Sequence, residues 1–145
     1  IVESVWGDPV HGRLLLADEE EFQFRDVKVY GFDGQFQNVR MGGGVFRAQP
    51  EGIALYSCAD GSGLWFLTDQ SRGENFFHIF DRKTLEYQAS FSGEVTRNTD
   101  GIWLSQKPMP GFAHGSFMAV HDDGNVAAFD LGEILDKTGM TRCKN

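Results

Sequence analysis

The chain has 145 residues, 41% of them hydrophobic and 13% aromatic, enough for one domain with a sizeable core. Its formal net charge of −8 lacks the basic footprint of a nucleic-acid binder and leaves cations, or simply an acidic surface, as the electrostatic expectation. No apolar run approaches the length of a membrane-crossing helix, so no membrane partner is expected, and Ile1 in place of a Met predicts a segment upstream.

Taken in order, Glu3-Ser4-Val5-Trp6 reads as a first strand: an acid, a small residue, then an apolar run. Gly7 to Gly12 is a turn rich in Gly, Asp and Pro. Arg13 to Ala17 is a buried strand, followed by the acidic cluster Asp18-Glu19-Glu20-Glu21. Val27 to Phe32 alternates as a third strand, Asp33-Gly34 signals a hairpin, and Gln35 to Met41 is a fourth. Gly42-Gly43-Gly44 lacks the Lys-Ser/Thr and the helix of a phosphate loop and reads as a connection.

The order then repeats. Glu51 to Ser57, Leu64 to Thr68, Phe76 to Asp81 and Leu85 to Phe91 form a second set of four strands. A third set begins at Asp100-Gly101-Ile102-Trp103 and continues with Ser116 to Val120 and Val126 to Asp130. Its fourth strand is missing, and Leu131 to Lys137 looks helical instead. Asp33, Asp81 and Asp130 stand 48 and 49 residues apart, as do Glu3, Glu51 and Asp100. Such a period predicts an all-β fold of three four-stranded antiparallel blades, half of a six-bladed β-propeller. The blades fall at about 1–48, 49–97 and 98–145. Three blades do not close a ring, so the remaining blades must come from an upstream chain segment or a second copy. The aromatics Trp6, Trp65, Phe66, Phe77, Phe80 and Phe117 fit packing between blades. Cys58 and Cys143 lack a metal-ligand spacing; they form either a disulfide, which implies an oxidising compartment, or two free thiols.

In a propeller the first strand of each blade lines the central channel, so Glu3, Glu51 and Asp100 converge at one mouth. Carboxylates held together repel, and some keep their protons unless a cation relieves them. Calcium suits such a site, because it accepts six to eight oxygen ligands in flexible geometry. Glu19, after the second strand, can reach the same mouth.

These residues resemble the β-propeller phytases and phytase-like proteins. The resemblance is carried by Gly12-Arg13-Leu14-Leu15-Leu16-Ala17-Asp18-Glu19, by Glu51-Gly52-Ile53-Ala54-Leu55-Tyr56, by Gly73-Glu74-Asn75-Phe76-Phe77-His78-Ile79-Phe80-Asp81-Arg82 and by Asn98-Thr99-Asp100-Gly101-Ile102. It covers essentially the whole chain, aligned to the family's last three blades. It implies a calcium-dependent phosphatase of 3-phytase type, secreted or periplasmic. Phosphate would be released from myo-inositol hexakisphosphate (phytate) or a related ester by attack of a calcium-bound water. Glu3, Glu19, Glu51 and Asp100 match the metal ligands, with Glu51 and Asp100 as the catalytic pair. Glu94 stands where many members carry a further acid. Arg72 and Arg97 are the candidate substrate-binding residues, and His114 lies in a loop of the same kind. The family's main basic residues belong to blades this chain does not contain, which leaves an alternative: a non-catalytic ligand-binding or interaction module with a retained cation site.

Overall fold

A computed structural model describes residues 1–19 and 25–144. Glu20 and Glu21 of the acidic cluster lie outside the described residues. Among the described residues, eleven strands and one helix follow the period read from the sequence. The first sheet is β1 (Val2–Asp8), β2 (Arg13–Asp18), β3 (Val27–Gly31) and β4 (Phe36–Met41), paired antiparallel in that order. The second is β5 (Gln49–Ser57), β6 (Gly63–Gln70), β7 (Phe76–Asp81) and β8 (Tyr87–Phe91). The third has three strands, β9 (Ile102–Ser105), β10 (Ser116–His121) and β11 (Asn125–Asp130). The first strand is an edge strand of every sheet, and β5 packs against both β1 and β9. Trp6 on β1 and Trp103 on β9 approach to 6.0 Å between ring centroids. The arrangement is that of three consecutive propeller blades.

Helix α1 (Leu131–Thr138) stands where a fourth strand of the third sheet would be. Asp130 caps it, accepting the Glu133 N–H at 3.0 Å, and Gly139 ends it in the left-handed conformation. Leu131, Ile134 and Leu135 are the buried apolar face. The last predicted strand of the second set starts later than read, at Tyr87, because Leu85 sits in the turn with φ 65°.

Two apolar cores separate the blades. Between the first and second sheets lie Leu15, Val27, Met41, Ile53, Trp65, Leu67 and Phe80. Between the second and third, under α1, lie Phe66, Phe77, Ile79, Phe117 and Leu131. Phe77 meets Phe117 edge-on at 4.9 Å and Phe91 in a tilted contact at 5.1 Å. The aromatic strand positions therefore serve blade packing, as their alternation predicts.

Two fastenings join the sheets at the ends of the first strands. Asp8, fully buried at the end of β1, accepts Arg82 Nη2 at 2.8 Å and Nε at 3.3 Å from the turn after β7. Burial pushes the Asp8 carboxyl up, but the hydrogen bonds and charge of Arg82 more than offset this and hold it below the usual range. Arg82 also donates to the Ser62 carbonyl at 3.2 Å, and Arg13 donates to the carbonyls of Arg82 and Lys83. Nearby, Cys58 and Cys143 form a disulfide with Cα atoms 5.2 Å apart, and Tyr56 Oη accepts the Cys143 N–H at 3.0 Å. Of the two alternatives for the cysteines, the bond is the one realised.

Removing one partner of a sealed ion pair strands the other charge. Asp8→Asn and Arg82→Ala should each lower the free energy of unfolding by about 3–5 kcal/mol, measured by urea denaturation.

Candidate metal centre

At the opposite end of the first strands, a β-bulge in β1 and another in β5 each fall on an acid. In β1, Val2 pairs with Asp18 and Ser4 with Ala17, so Glu3 is the extra residue. In β5, Pro50 pairs with Asp69 and Ile53 with Leu67, so Glu51 and Gly52 stand opposite Thr68 alone. A bulge breaks the strict alternation of a strand and re-aims the side chain it carries. Ser4 Oγ donates to the Glu51 carbonyl and ties the two bulged strands together. Glu19 follows β2 directly, and its N–H donates to the Ile1 carbonyl at 2.9 Å, which keeps it beside the start of β1. Asp100 precedes β9, whose approach to β5 depends on Gly52. A Cβ there would lie 2.8 Å from the Asp100 carbonyl oxygen and 2.9 Å from the Ile102 nitrogen.

Four segments thus deliver Glu3, Glu19, Glu51 and Asp100 to one open cleft of about 690 Å³. Glu3, Glu19 and Glu51 each offer a carboxylate oxygen, all within 4.8 Å of one another. Gln49 Nε2 donates to Glu19 Oε1 at 2.9 Å, and Gln70 Nε2 donates to Asp100 Oδ1. None of the ion pairs among the described residues includes any of the four acids. Burial, followed by the charges of Glu3, Glu19 and Asp100, pushes the Glu51 carboxyl up to about 7. Desolvation among the neighbouring acids, followed by the hydrogen bond and charge of Glu19, raises the exposed Glu3. Asp100 is raised by burial and by Asp123, an acid that the sequence period does not mark, against the opposing hydrogen bond from Gln70.

The donor set fits a hard divalent cation. All the donors are carboxylate oxygens, and two oxygens that share a calcium ion at 2.3–2.6 Å can stand at most roughly 5 Å apart. The sequence profile of the family described as Phytase matches residues 2–126. The chain belongs to the phytase family. No curated protein matches it.

Within this phytase-family chain the sequence-predicted residues divide. Glu3, Glu19, Glu51 and Asp100 come together, and Arg72 lines the same cleft. Arg97 and Glu94 do not; they line a separate cavity of about 550 Å³ with His121. Arg97 also stands 3.9 Å from Asp122. Its loop turns away because Asn98, with φ 46°, is fastened by its N–H to the Ser71 carbonyl at 2.8 Å. His114 is elsewhere again, 3.3 Å from Arg142. Two cleft cations, Arg25 and Arg47, escape sequence reading altogether. They sit in irregular segments without periodicity, and the stretch between the second strand and the next blade, with at least as many acids as bases around them, carries no charge signal that marks them.

Two consequences are measurable. Gly52→Ala forces backbone apart rather than a mobile side-chain tip; it should destabilise the fold by about 1–3 kcal/mol in urea denaturation and weaken cation binding. The raised Glu51 carboxyl means that, without metal, the folded chain holds a proton between about pH 4.5 and 7 that the unfolded chain has released. Stability contributed at this site is therefore present at low pH and lost as pH rises through about 7. In chelator, Glu51→Gln should melt higher than the parent at pH 8 and lose that advantage at pH 5, by thermal denaturation at both values.

Proposed function

We propose that this chain carries the metal-binding part of a calcium-dependent phosphomonoesterase of phytase type, acting on myo-inositol hexakisphosphate or a related phosphate ester. One observation carries the reading: in a member of the phytase family, carboxylates of Glu3, Glu19 and Glu51 meet within 4.8 Å of one another at an open cleft. When bound, calcium supplies positive charge to the phosphoryl oxygens and lowers the pKa of a water. The side chains supply the rest. Glu3, Glu19, Glu51 and Asp100 hold the cation once ionised, and the high carboxyl of Glu51 makes cation binding compete with a proton. Glu51 and Asp100 come from neighbouring strands, β5 and the approach to β9, and would hold the cation between them against the reacting phosphate. Arg72 faces the cleft and can take substrate charge directly, whereas Arg97 would act only on a substrate that extends beyond it.

The outer faces of the first and third sheets support a larger active unit. Val5 is 58% exposed on one, and Trp103 and Val126 are 57% and 61% exposed on the other. Further blades, from an upstream segment or a second copy, would cover them and complete a six-bladed ring. The Cys58–Cys143 bond supports a secreted or periplasmic location.

Glu51→Gln and Asp100→Asn should each reduce calcium-dependent phosphate release from phytate by roughly a hundredfold or more, with an unchanged far-ultraviolet circular dichroism spectrum. Excess chelator should have the same effect on the parent chain. Turnover that survives either substitution overturns the proposal.

A further inference from the structure

Arg25, Arg47 and Arg72 line the acidic cleft, yet none of them forms an ion pair among the described residues. For an exposed arginine that alone means little. Arg47 differs because its position is constructed. Its backbone N–H donates to Asp69 Oδ2 and that of Ala48 to Asp69 Oδ1, both at 2.8 Å. Asp69, 2% exposed near the end of β6, also meets His78 Nε2 at 3.2 Å. His78, 4% exposed on β7, reaches Ser90 Oγ on β8 at 2.6 Å through Nδ1, and Tyr87 Oη meets Ser90 Oγ at 2.8 Å. A line of hydrogen bonds thus crosses three strands and ends on the loop that carries Arg47. Aspartate, histidine and serine in this order also suggest a nucleophile triad. Here the aspartate is committed to two backbone N–H groups and the imidazole is sealed, so the line holds a loop.

The side chain is placed as well as the backbone. The Arg47 guanidinium lies 5.1 Å over the Phe76 ring. Phe76 in turn stacks on His78 at 6.3 Å with the ring planes 3° apart, and Phe46 meets the same imidazole edge-on at 5.2 Å. The Arg47 carbonyl accepts a hydrogen bond from the Arg25 guanidinium, which brings a second like charge alongside. A guanidinium held over an aromatic ring without an ion-pair partner keeps its N–H fork for an incoming group, and such a fork can take an oxyanion with two parallel bonds. We propose that Arg47 binds a phosphate group of the substrate, and that His78 is its positioning residue, acting through Asp69 and Phe76. The proposal rests on the phosphoester reading of the cleft.

The probe is the hexasulfate ester of myo-inositol, a polyanion that carries no phosphoester bond to hydrolyse. It is titrated calorimetrically into the full chain at saturating calcium, and calcium alone is titrated separately. Arg47→Ala should weaken hexasulfate binding about tenfold and leave calcium affinity unchanged. Arg47→Lys should recover part of the loss, because a point charge lacks the fork. His78→Ala should weaken binding when Arg47 is present and add nothing in the Arg47→Ala background. A loss that adds in full in the double variant overturns the positioning role, since a merely structural residue would behave that way. Unchanged affinity in Arg47→Ala, or no binding to the parent chain, overturns the whole inference. Phytate assays separate it from the reading it rests on. If phytate is not hydrolysed but hexasulfate binding still depends on Arg47, the phosphatase reading fails and Arg47 remains an oxyanion ligand. If phytate is hydrolysed with the same KM after Arg47→Ala, this inference fails alone.

Discussion

A charge sealed from water must have its partner beside it, and that requirement fixes how the first two sheets meet. Asp8 and Arg82 are 74 residues apart in sequence and both buried. Desolvating either alone costs several kcal/mol, so the turn after β7 has one workable position against the end of β1. The same arginine reaches the Ser62 carbonyl, and the turn that holds Ser62 starts at Cys58, which the disulfide ties to the tail. Ionic and covalent fastenings therefore gather at one end of the inner strands. The acids gather at the other end, some five residues along β1, or about 16 Å.

That separation has energetic sense. The carboxylates at the cleft repel one another, and burial together with that repulsion raises the Glu51 carboxyl to about 7. Repulsion at one end of a strand can be carried without fraying when the far end is clamped. Ties at the cleft end include the Ser4 hydroxyl on the Glu51 carbonyl, the Glu19 N–H on the Ile1 carbonyl and the close passage of β9 over Gly52. Such a site is stiff in its scaffold and unsatisfied in its charge, which is the condition under which a cation binds with little reorganisation.

The strands and the acids were legible in the sequence for the same reason: both recur with the blade. Glu3, Glu51 and Asp100 could be aligned because each stands at the head of an equivalent apolar run, and alternation placed Trp65, Phe77 and Phe117 inside. The bulges were not legible, because a bulge depends on the partner strand and leaves no mark in its own pattern. Arg47 was not legible because its role comes from three strands that converge on an irregular loop. Arg97 reads as a substrate-binding candidate because its loop could face the mouth of the channel. The left-handed residue Asn98 next to it sends it into the neighbouring cavity.

The bulges also determine which changes of length the inner strands can absorb. Side chains alternate with period two, so each added residue inverts the parity of everything on one side of it. Glu3 and the Glu51-Gly52 pair are points where that parity is already shifted. Replacing a residue there alters one side chain. Deleting one would restore even pairing and turn every residue on the cleft side of the cut to the other face of its sheet. The two strands are thus open to variation in composition and closed to variation in length, and the count of residues from the bulge to the strand end is as much a part of the cleft as the acids themselves.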